Sequence, residues 1–124
     1  EYRAVAVSGD GGLLYHIGEL ETALRCNIPV VIVVLNNSCL ASEYHTEKRL
    51  RGGRVVSEVL DFNDTDFAAI AKAFGAHGAR VTESNDIKDA VRDALAANTP
   101  ALVDVVVSKE AVAPSAGQDR TRLV

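Results

Sequence analysis

The sequence has few aromatic residues, few cysteines and no apolar run that approaches the roughly 20 residues of a membrane span. Aromatic residues make up only 5% of the 124 residues, whereas 48% are hydrophobic. The core is therefore predicted to be mainly aliphatic. The two cysteines, Cys26 and Cys39, are 13 positions apart, and this spacing matches neither a zinc site nor a disulfide framework. We expect ordinary reduced thiols.

Charge of one sign is not in large excess. The formal net charge is −4, from 13 Lys and Arg against 17 Asp and Glu, which gives no general attraction to nucleic acid or to an anionic membrane. No signal peptide opens the chain, and Glu1 leads into an apolar stretch without an initiator methionine. We expect a cytoplasmic protein that binds neither nucleic acid nor membranes, and a chain that is part of a longer one.

Apolar segments and turn residues alternate along the chain. Strands are predicted at 4–7, 30–35, 79–81 and 101–107, and helices at 13–24, 67–74 and 87–95. The stretch 38–64 lacks periodicity and is predicted as a long loop with room for a helical turn. Candidate N-caps for the helix at 67–74 are Asn63, Asp64 and Thr65, and Gly75 is predicted to end it.

This alternation predicts an α/β fold with three layers, a mainly parallel sheet and helices on both faces, in a Rossmann-like arrangement. The continuous apolar run at 30–35 is typical of a strand buried in a parallel sheet. About four strands are few for such a sheet, so we expect a truncated form of a larger domain. The domain is predicted to cover residues 1–109, and 110–124 to form a C-terminal tail.

Two polar turns follow predicted strands, and open α/β sheets bind ligands at the carboxyl ends of their strands. They are Gly9-Asp10-Gly11-Gly12 and Asn36-Asn37-Ser38-Cys39. If the two strands are neighbours, Asp10 and Asn37 offer a carboxylate and an amide oxygen to one point, and such ligands suit Mg²⁺ or Ca²⁺. Gly11 and Gly12 open a helix, where an anion is favoured. Each turn alone is more typical of an ordinary loop than of a binding site. Together they indicate a diphosphate bridged by Mg²⁺.

The spacing of these turns resembles the thiamine-diphosphate signature, which begins with Gly-Asp-Gly and ends with Asn-Asn. Here Gly9-Asp10-Gly11 is followed after 24 residues by Asn36-Asn37. The resemblance covers residues 4–107 and is closest to the acetolactate synthase, benzoylformate decarboxylase and benzaldehyde lyase branch. Further segments that resemble this family are 18–23, 27–30, 66–67, 74–76 and 100–105.

The resemblance implies a role for each residue of the two turns. Asp10 and Asn37 would bind Mg²⁺ through their side chains and Cys39 through its backbone carbonyl. Cys39 stands where the family commonly has Gly, and Leu40 where an aromatic residue is common. The N–H groups expected to hold the diphosphate oxygens are those of Gly11, Gly12, Leu40 and Ala41.

The resemblance also implies partners. The cofactors would be thiamine diphosphate and Mg²⁺, and the substrate a small 2-oxo acid or aldehyde. The glutamate that activates the aminopyrimidine belongs to a pyrimidine-binding domain of the same or a partner subunit, and the full-length enzyme is expected to be a homo-oligomer. The implied activity is that of a decarboxylase or carboligase, and the isolated chain is expected to be inactive.

Two further groups are candidates for substrate contacts. Glu43 and His45 follow the second turn, where related decarboxylases use an acid, so acid–base catalysis is one interpretation and a solvated loop the other. A basic cluster between Lys48 and Arg54 would suit an anionic substrate, although solvent exposure explains it equally well. Asp104 interrupts an apolar strand without an evident reason.

Two other classes of function stay open. A dinucleotide- or flavin-binding module would use a similar sheet, but Gly9-x-Gly11 lacks the third glycine in register, and the strand at 30–35 ends in Asn instead of an acidic ribose ligand. A non-catalytic regulatory subunit would keep the fold without the chemistry. The presence of both Asp10 and Asn37 argues against that second class.

Overall fold

The computed structural model describes residues 3–112, and its centre is a four-stranded sheet in which all neighbouring strands are parallel. The spatial order is β1-β2-β4-β3. The strands are β1 (Val5–Gly9), β2 (Val31–Asn36), β3 (His77–Val81) and β4 (Ala101–Val106). This architecture confirms the predicted α/β fold with a parallel sheet.

Six α-helices connect the described strands. None of the helices within residues 3–112 is long and apolar enough to cross a membrane. The helices are α1 (Asp10–Leu14), α2 (Glu19–Arg25), α3 (Ala41–Leu50), α4 (Ser57–Leu60), α5 (Phe67–Phe74) and α6 (Ile87–Ala96), with a 3₁₀ turn at Ser84–Asp86 before α6.

Helices cover both faces of the sheet, and each face has its own aliphatic core. Phe67 and Ala71 of α5 pack with Leu20 of α2 against Val34 and Leu102. On the opposite face, Ala94 of α6 packs on Val31, Val81, Ala101, Val103 and Val105. Burying a side chain such as Phe67 or Leu102 contributes about 1.5–3 kcal/mol. The alternation of β4 residues between these cores fixes which face each strand residue occupies.

Three predicted elements were wrong in detail. The helix expected at 13–24 is two helices, α1 and α2, separated by a turn at 15–18. The loop expected at 38–64 contains the ten-residue helix α3 and the short helix α4. The N-cap of α5 is Asp66, whose side chain accepts a hydrogen bond from the Ala69 N–H at 2.8 Å. Gly75 ends α5 as predicted, with φ 97°.

Strand pairing places the two polar turns beside each other. β1 and β2 are adjacent and parallel, with Gly9 paired to Leu35. Asp10 follows Gly9 directly, and Asn36 and Asn37 follow Leu35. Because parallel strands end at the same edge of a sheet, both turns lie at the carboxyl edge where α/β proteins bind ligands.

The start of the predicted tail packs against α3. Glu110 accepts a hydrogen bond from the Tyr44 hydroxyl at 2.6 Å and forms an ion pair with Lys48 at 2.7 Å. Lys109 pairs with Asp61 at 2.9 Å. The boundary predicted between residues 109 and 110 stays a prediction, and Glu110 itself contacts α3. The rest of that prediction, residues 113–124, lies outside the described residues.

Candidate functional site

A cleft of about 800 Å³ opens at the carboxyl edge of the sheet. Its walls are formed by the two turns, by one side of α3 and by the chain that follows β4. All ten residues that the sequence indicated as site residues line it: Gly9, Asp10, Gly11, Gly12, Asn37, Cys39, Leu40, Ala41, Glu43 and His45.

The Asp10 carboxylate joins the two turns. Asp10 is buried, with 3% of its surface exposed. Its Oδ1 accepts a hydrogen bond from the Gly11 N–H at 2.7 Å, and its Oδ2 accepts from the N–H groups of Asn37 at 3.1 Å and Cys39 at 3.3 Å. An ionised carboxylate has about four acceptor positions. Three N–H donors therefore stabilise the buried charge and leave acceptor capacity for a cation.

Asn37 carries a buried oxygen with no internal partner. Among the described residues, four buried side-chain atoms lack a hydrogen-bond partner, and two of them belong to the cleft: Asn37 Oδ1 and His45 Nε2. A buried polar atom without a partner is unfavourable by about 1–3 kcal/mol. The Asp10 carboxylate of the first turn accepts a hydrogen bond from the Asn37 N–H, so this free amide oxygen belongs to a residue that Asp10 itself holds. A metal ion in the cleft would satisfy it.

Ser38 between the two expected ligands has an unusual backbone conformation. Its φ is 54°, which is uncommon for a residue other than glycine. The Asn36 side chain supports this conformation, because its Oδ1 accepts hydrogen bonds from the Ser38 N–H at 3.2 Å and hydroxyl at 3.4 Å. Such a bond to the residue two positions on is a typical Asx turn. The turn is thus shaped by Asn36 and leaves Asn37 free.

Cys39 is held in an isolated antiparallel bridge with Asp61. The flanking bonds run from Leu40 N–H to the Leu60 carbonyl at 2.9 Å and from Phe62 N–H to the Ser38 carbonyl at 2.7 Å. Cys39 is buried, with 2% of its surface exposed. Burial, reinforced by the neighbouring Asp61 carboxylate, raises the pKa of Cys39 to about 11. The sulfur therefore stays protonated at neutral pH, and thiolate ligation is disfavoured.

Two of the four expected phosphate donors are already used inside the protein. The Gly11 N–H donates to Asp10, and the Leu40 N–H donates to Leu60. In this conformation both N–H groups therefore have acceptors inside the protein, and their role in holding the diphosphate stays a prediction. Gly12 and Ala41 lie in the first turns of α1 and α3, where N–H groups have no carbonyl four residues back inside the helix.

Gly11 also lies close to the side chains that follow the second turn. A Cβ at this position would lie 2.9 Å from Leu40 Cδ2 and 3.3 Å from the Phe62 ring. A side chain at residue 11 would therefore require the Leu40 side chain to move. Leu40 contributes its side chain to this contact and to the cleft wall.

Glu43 and His45 both line the cleft from α3, but they do not form a pair. Residues two positions apart on a helix point in different directions. Glu43 is exposed, whereas His45 is half-buried and its ring packs edge-on against Tyr44 at 5.2 Å between centroids. Further along the same helix, Thr46 and Arg49 also reach the cleft.

The basic cluster is divided between ion pairs and the cleft. Lys48 pairs with Glu110, and Arg51 pairs with Glu47 at 3.5 Å. Arg49 lines the cleft, and Arg54 is exposed at the far end of the loop. The predicted cluster therefore does not act as one anion site, and solvent exposure and local pairing account for most of it.

Sequence reasoning missed a buried polar group behind the second turn. Asp104 is fully buried, and its carboxylate accepts hydrogen bonds from Asn36 Nδ2 at 3.0 Å and from the Phe67 N–H at 3.1 Å. Arg80 lies 3.4 Å away. Burial raises the pKa of Asp104, while the Asn36 and Phe67 donors act in the opposite direction. The only signal in the sequence was a charged residue within an apolar strand.

Comparison with known proteins identifies the family. Residues 1–105 match the family model described as "Thiamine pyrophosphate enzyme, C-terminal TPP binding domain". The chain belongs to this family. A thiamine pyrophosphate-containing protein of Bacillus subtilis, YdaP, is 35% identical over 92% of this chain and 19% of its own length. An acetolactate synthase of the same organism is 36% identical over 85% of this chain and 18% of its length.

A solved structure agrees with this assignment. The thiamine diphosphate-dependent 4-hydroxybenzoylformate decarboxylase of Rhodococcus jostii RHA1 superposes with a TM-score of 0.78 at 32% identity, over 87% of this chain and 20% of that one. The TPP-binding domain described here thus spans about a fifth of the length of the relatives it matches. Thiamine diphosphate, normally accompanied by Mg²⁺, is the cofactor of this family.

Proposed function

We propose that this domain binds the diphosphate of thiamine diphosphate through Mg²⁺, with Asp10, Asn37 and the carbonyl of Cys39 as the protein ligands. The observation that carries the proposal is the buried, unpartnered Asn37 Oδ1 in the turn that the Asp10 carboxylate clamps. Carboxylate, amide and carbonyl oxygens are hard ligands, which suit Mg²⁺.

The number of protein ligands also suits this ion. Within residues 3–112 there is no cluster of three or more His, Cys, Asp or Glu side chains that would form a complete metal cage. Mg²⁺ does not need such a cage, because it usually keeps waters and takes phosphate oxygens together with one or two carboxylates. Three protein oxygens at one corner of the cleft would leave the rest of an octahedral shell to the diphosphate and water.

The direction of the Cys39 carbonyl follows from its neighbours. The N–H and C=O groups of one residue in an antiparallel bridge point to the same edge of the strand. Since the Cys39 N–H donates to Asp10, its carbonyl oxygen also faces the first turn. The side chain at residue 39 therefore need not be glycine, because the ligand is a backbone atom.

The diphosphate would lie against two helix starts. The first turn of α3 has no side-chain cap, so its N–H groups, including that of Ala41, suit an anion. Gly12 supplies a further N–H from the first turn of α1. Together with the ion, these groups would neutralise the diphosphate at the floor of the cleft.

We further propose that the full-length protein is a 2-oxo-acid decarboxylase or carboligase of the acetolactate synthase type. When bound, thiamine diphosphate supplies the carbanion-stabilising chemistry. The residues of this chain would anchor and orient it, and Glu43 and His45, which line the cleft from α3, would contact the substrate. A pyrimidine-binding domain of the same or a partner subunit would complete the site in a homo-oligomer.

The two alternative functions receive less support. A dinucleotide module would place an acidic residue at the end of β2, where Asn36 instead hydrogen-bonds inward to Asp104. A regulatory subunit without cofactor would have no use for a buried amide oxygen that lacks a partner. Direct measurement of cofactor binding separates both from the proposed function.

The experiment is calorimetric titration of thiamine diphosphate into the full-length protein, with Mg²⁺ and with EDTA. We expect Mg²⁺-dependent binding in the wild type and its loss in Asn37→Ala. Asn63→Ala, an exposed asparagine that does not line the cleft, is the matched control and should bind like the wild type. Unchanged affinity in Asn37→Ala, or equal binding in EDTA, would refute the metal role of this turn.

A further inference from the structure

We propose that Asp104 is a positioning residue for the metal-binding turn and acts through Asn36. This inference rests on the proposed function, since it concerns the shape of the turn that would hold Mg²⁺. Asp104 lies in the interior of β4 and does not line the cleft. Its influence would therefore pass through Asn36, the residue that separates it from the turn.

The first step of this connection is the fixing of Asn36. Residues 36 and 104 project from neighbouring strands on the α5 side of the sheet, where Val34 and Leu102 also pack. Asn36 Nδ2 donates both to Asp104 Oδ1 at 3.0 Å and to the Thr65 carbonyl at 2.9 Å. With both amide hydrogens engaged, the Asn36 side chain has one orientation, and its Oδ1 is directed to the turn.

The second step is the conformation of the turn. Asn36 Oδ1 accepts from the N–H and the hydroxyl of Ser38, whose φ is 54°. A residue other than glycine in this region is disfavoured by about 1–3 kcal/mol unless its surroundings hold it. Ser38 lies directly between Asn37 and Cys39, so its backbone angles determine where the Asn37 amide and the Cys39 carbonyl point.

The third step is the anchoring of Asp104 itself. Its second oxygen, Oδ2, accepts from the Phe67 N–H at 3.1 Å, at the start of α5, and faces Arg80 Nη1 at 3.4 Å. Arg80 also donates to the Thr65 carbonyl at 3.0 Å. A helix start and a cation stabilise a buried carboxylate. Asp104 is thus held by β4, α5 and β3 while it orients a group on β2.

A simple core role would not require this chemistry. An aliphatic residue at 104 would pack with Leu102 and Val34 without the desolvation of a charge. A carboxylate is needed here only if its oxygen atoms must accept hydrogen bonds, and the hydrogen bond to Oδ1 comes from Asn36. Asp104 would thus act like the hydrogen-bonding groups that surround metal ligands and orient them. The loss of such a group typically weakens metal affinity by about 10–100-fold.

The most informative variant is Asp104→Asn, which keeps the shape of the side chain but replaces one carboxylate oxygen with an NH₂ group. That NH₂ group must face either the donor on Asn36 or the donors on Phe67 and Arg80. We expect Mn²⁺, used with thiamine diphosphate as a paramagnetic probe in the full-length protein, to bind about tenfold or more weakly. The matched control is Val103→Ala, a fully buried β4 neighbour in the opposite core.

A second measurement needs neither ion nor cofactor. Amide hydrogen exchange at Ser38 and Cys39 in the metal-free protein should be faster in Asp104→Asn than in the wild type. In Val103→Ala, exchange at these two amides should change only by as much as the loss of global stability accounts for. Asn36→Ala breaks the same connection and should give the same exchange pattern. The double variant with Asp104→Asn should bind Mn²⁺ no more weakly than Asn36→Ala alone, because both changes act in series.

The outcomes separate the two proposals. Wild-type-like Mn²⁺ binding in Asp104→Asn, or an equal loss in Val103→Ala, would overturn the positioning role and leave the proposed function intact. Unchanged exchange at Ser38 would overturn it as well. If the wild type binds no Mn²⁺ with thiamine diphosphate, the proposed function fails, while the exchange data still report whether Asp104 shapes the turn.

Discussion

Oδ2 of Asp10 lies 3.1 Å from the backbone nitrogen of Asn37, although the two residues are 27 positions apart. This contact uses the backbone of Asn37 and leaves the side-chain oxygen without a partner among the described residues. The two expected metal ligands therefore differ in their importance to the fold. Asp10 holds the two turns together and is also a proposed ligand, whereas the Asn37 side-chain oxygen has only the proposed ligand role.

The first prediction concerns this difference in stability. Asp10→Ala would leave the N–H groups of Gly11, Asn37 and Cys39 without their acceptor, and should lower the free energy of unfolding by about 3 kcal/mol. Asn37→Ala removes a buried oxygen that has no internal partner, so it should leave the free energy of unfolding unchanged or raise it by about 1 kcal/mol. Urea unfolding of the metal-free protein measures the free energy of unfolding of both variants, and hydrogen exchange of the β1 and β2 amides provides a second measurement. Equal destabilisation by the two variants would contradict the distinction.

The second prediction concerns the reactivity of the two thiols. Because burial raises the pKa of Cys39 to about 11, the thiolate is nearly absent at pH 8 and becomes populated only as the pH approaches that value. Iodoacetamide should modify the exposed Cys26 and leave Cys39 unmodified, as mass spectrometry of the native protein will show. Labelling in denaturant, where both thiols should react, is the control.

Cys39→Ser tests the same residue as a metal ligand. If only the backbone carbonyl is used, this variant should bind Mg²⁺ and thiamine diphosphate within about threefold of the wild type, a difference of roughly 0.65 kcal/mol. A complete loss of binding in a folded Cys39→Ser protein would show that the sulfur matters and that the assignment of the carbonyl is wrong.

The third prediction concerns the contact between α5 and β3. A Cβ at Gly78 would lie 2.3 Å from the backbone oxygen of Ala68, which cannot rotate away. Gly78→Ala should therefore separate the helix from the sheet and destabilise the protein by about 1–3 kcal/mol or more. Gly18→Ala is the matched control, because a Cβ there meets no atom within 4 Å. Similar unfolding curves for the two variants would contradict the close approach.

The strands and the two turns were predictable because their signals are local. Val31–Asn36 is apolar and ends in two asparagines, and β1 ends at a glycine before an acidic residue. Parallel pairing then brings the turns together without further information. The strand boundaries shifted by one or two residues, since hydrogen bonding extends β3 back to His77, where no apolar signal exists.

Helix α3 was not predictable from periodicity. Of its ten residues only Tyr44 is buried, and the others are mainly charged or polar. A helix with one solvent-facing side, one side in a cleft and a single core contact shows no apolar stripe. It makes contacts with residues that are distant in sequence, such as those of Tyr44 and Lys48 with Glu110.

Which N–H groups form hydrogen bonds inside the protein could not be predicted from the sequence either. Nothing near Leu40 indicates that its N–H bonds to Leu60, because that bond depends on the antiparallel bridge between Cys39 and Asp61. The two hydrogen-bond donors to Asp104, from Phe67 and Asn36, are likewise 37 and 68 positions away in the chain. A sequence motif names residue types at a site, but only tertiary structure decides which of their polar groups remain available to a ligand.

The hydrogen bonds that the Asp10 carboxylate accepts from both turns affect how an ion would bind. Hydrogen bonds to the Asp10 carboxylate tie the two turns to each other, so the proposed cation site would be preorganised. Capture of the cation would then involve mainly the exchange of its hydration water, with little ordering of the backbone, and the entropic penalty of loop closure would already have been met during folding.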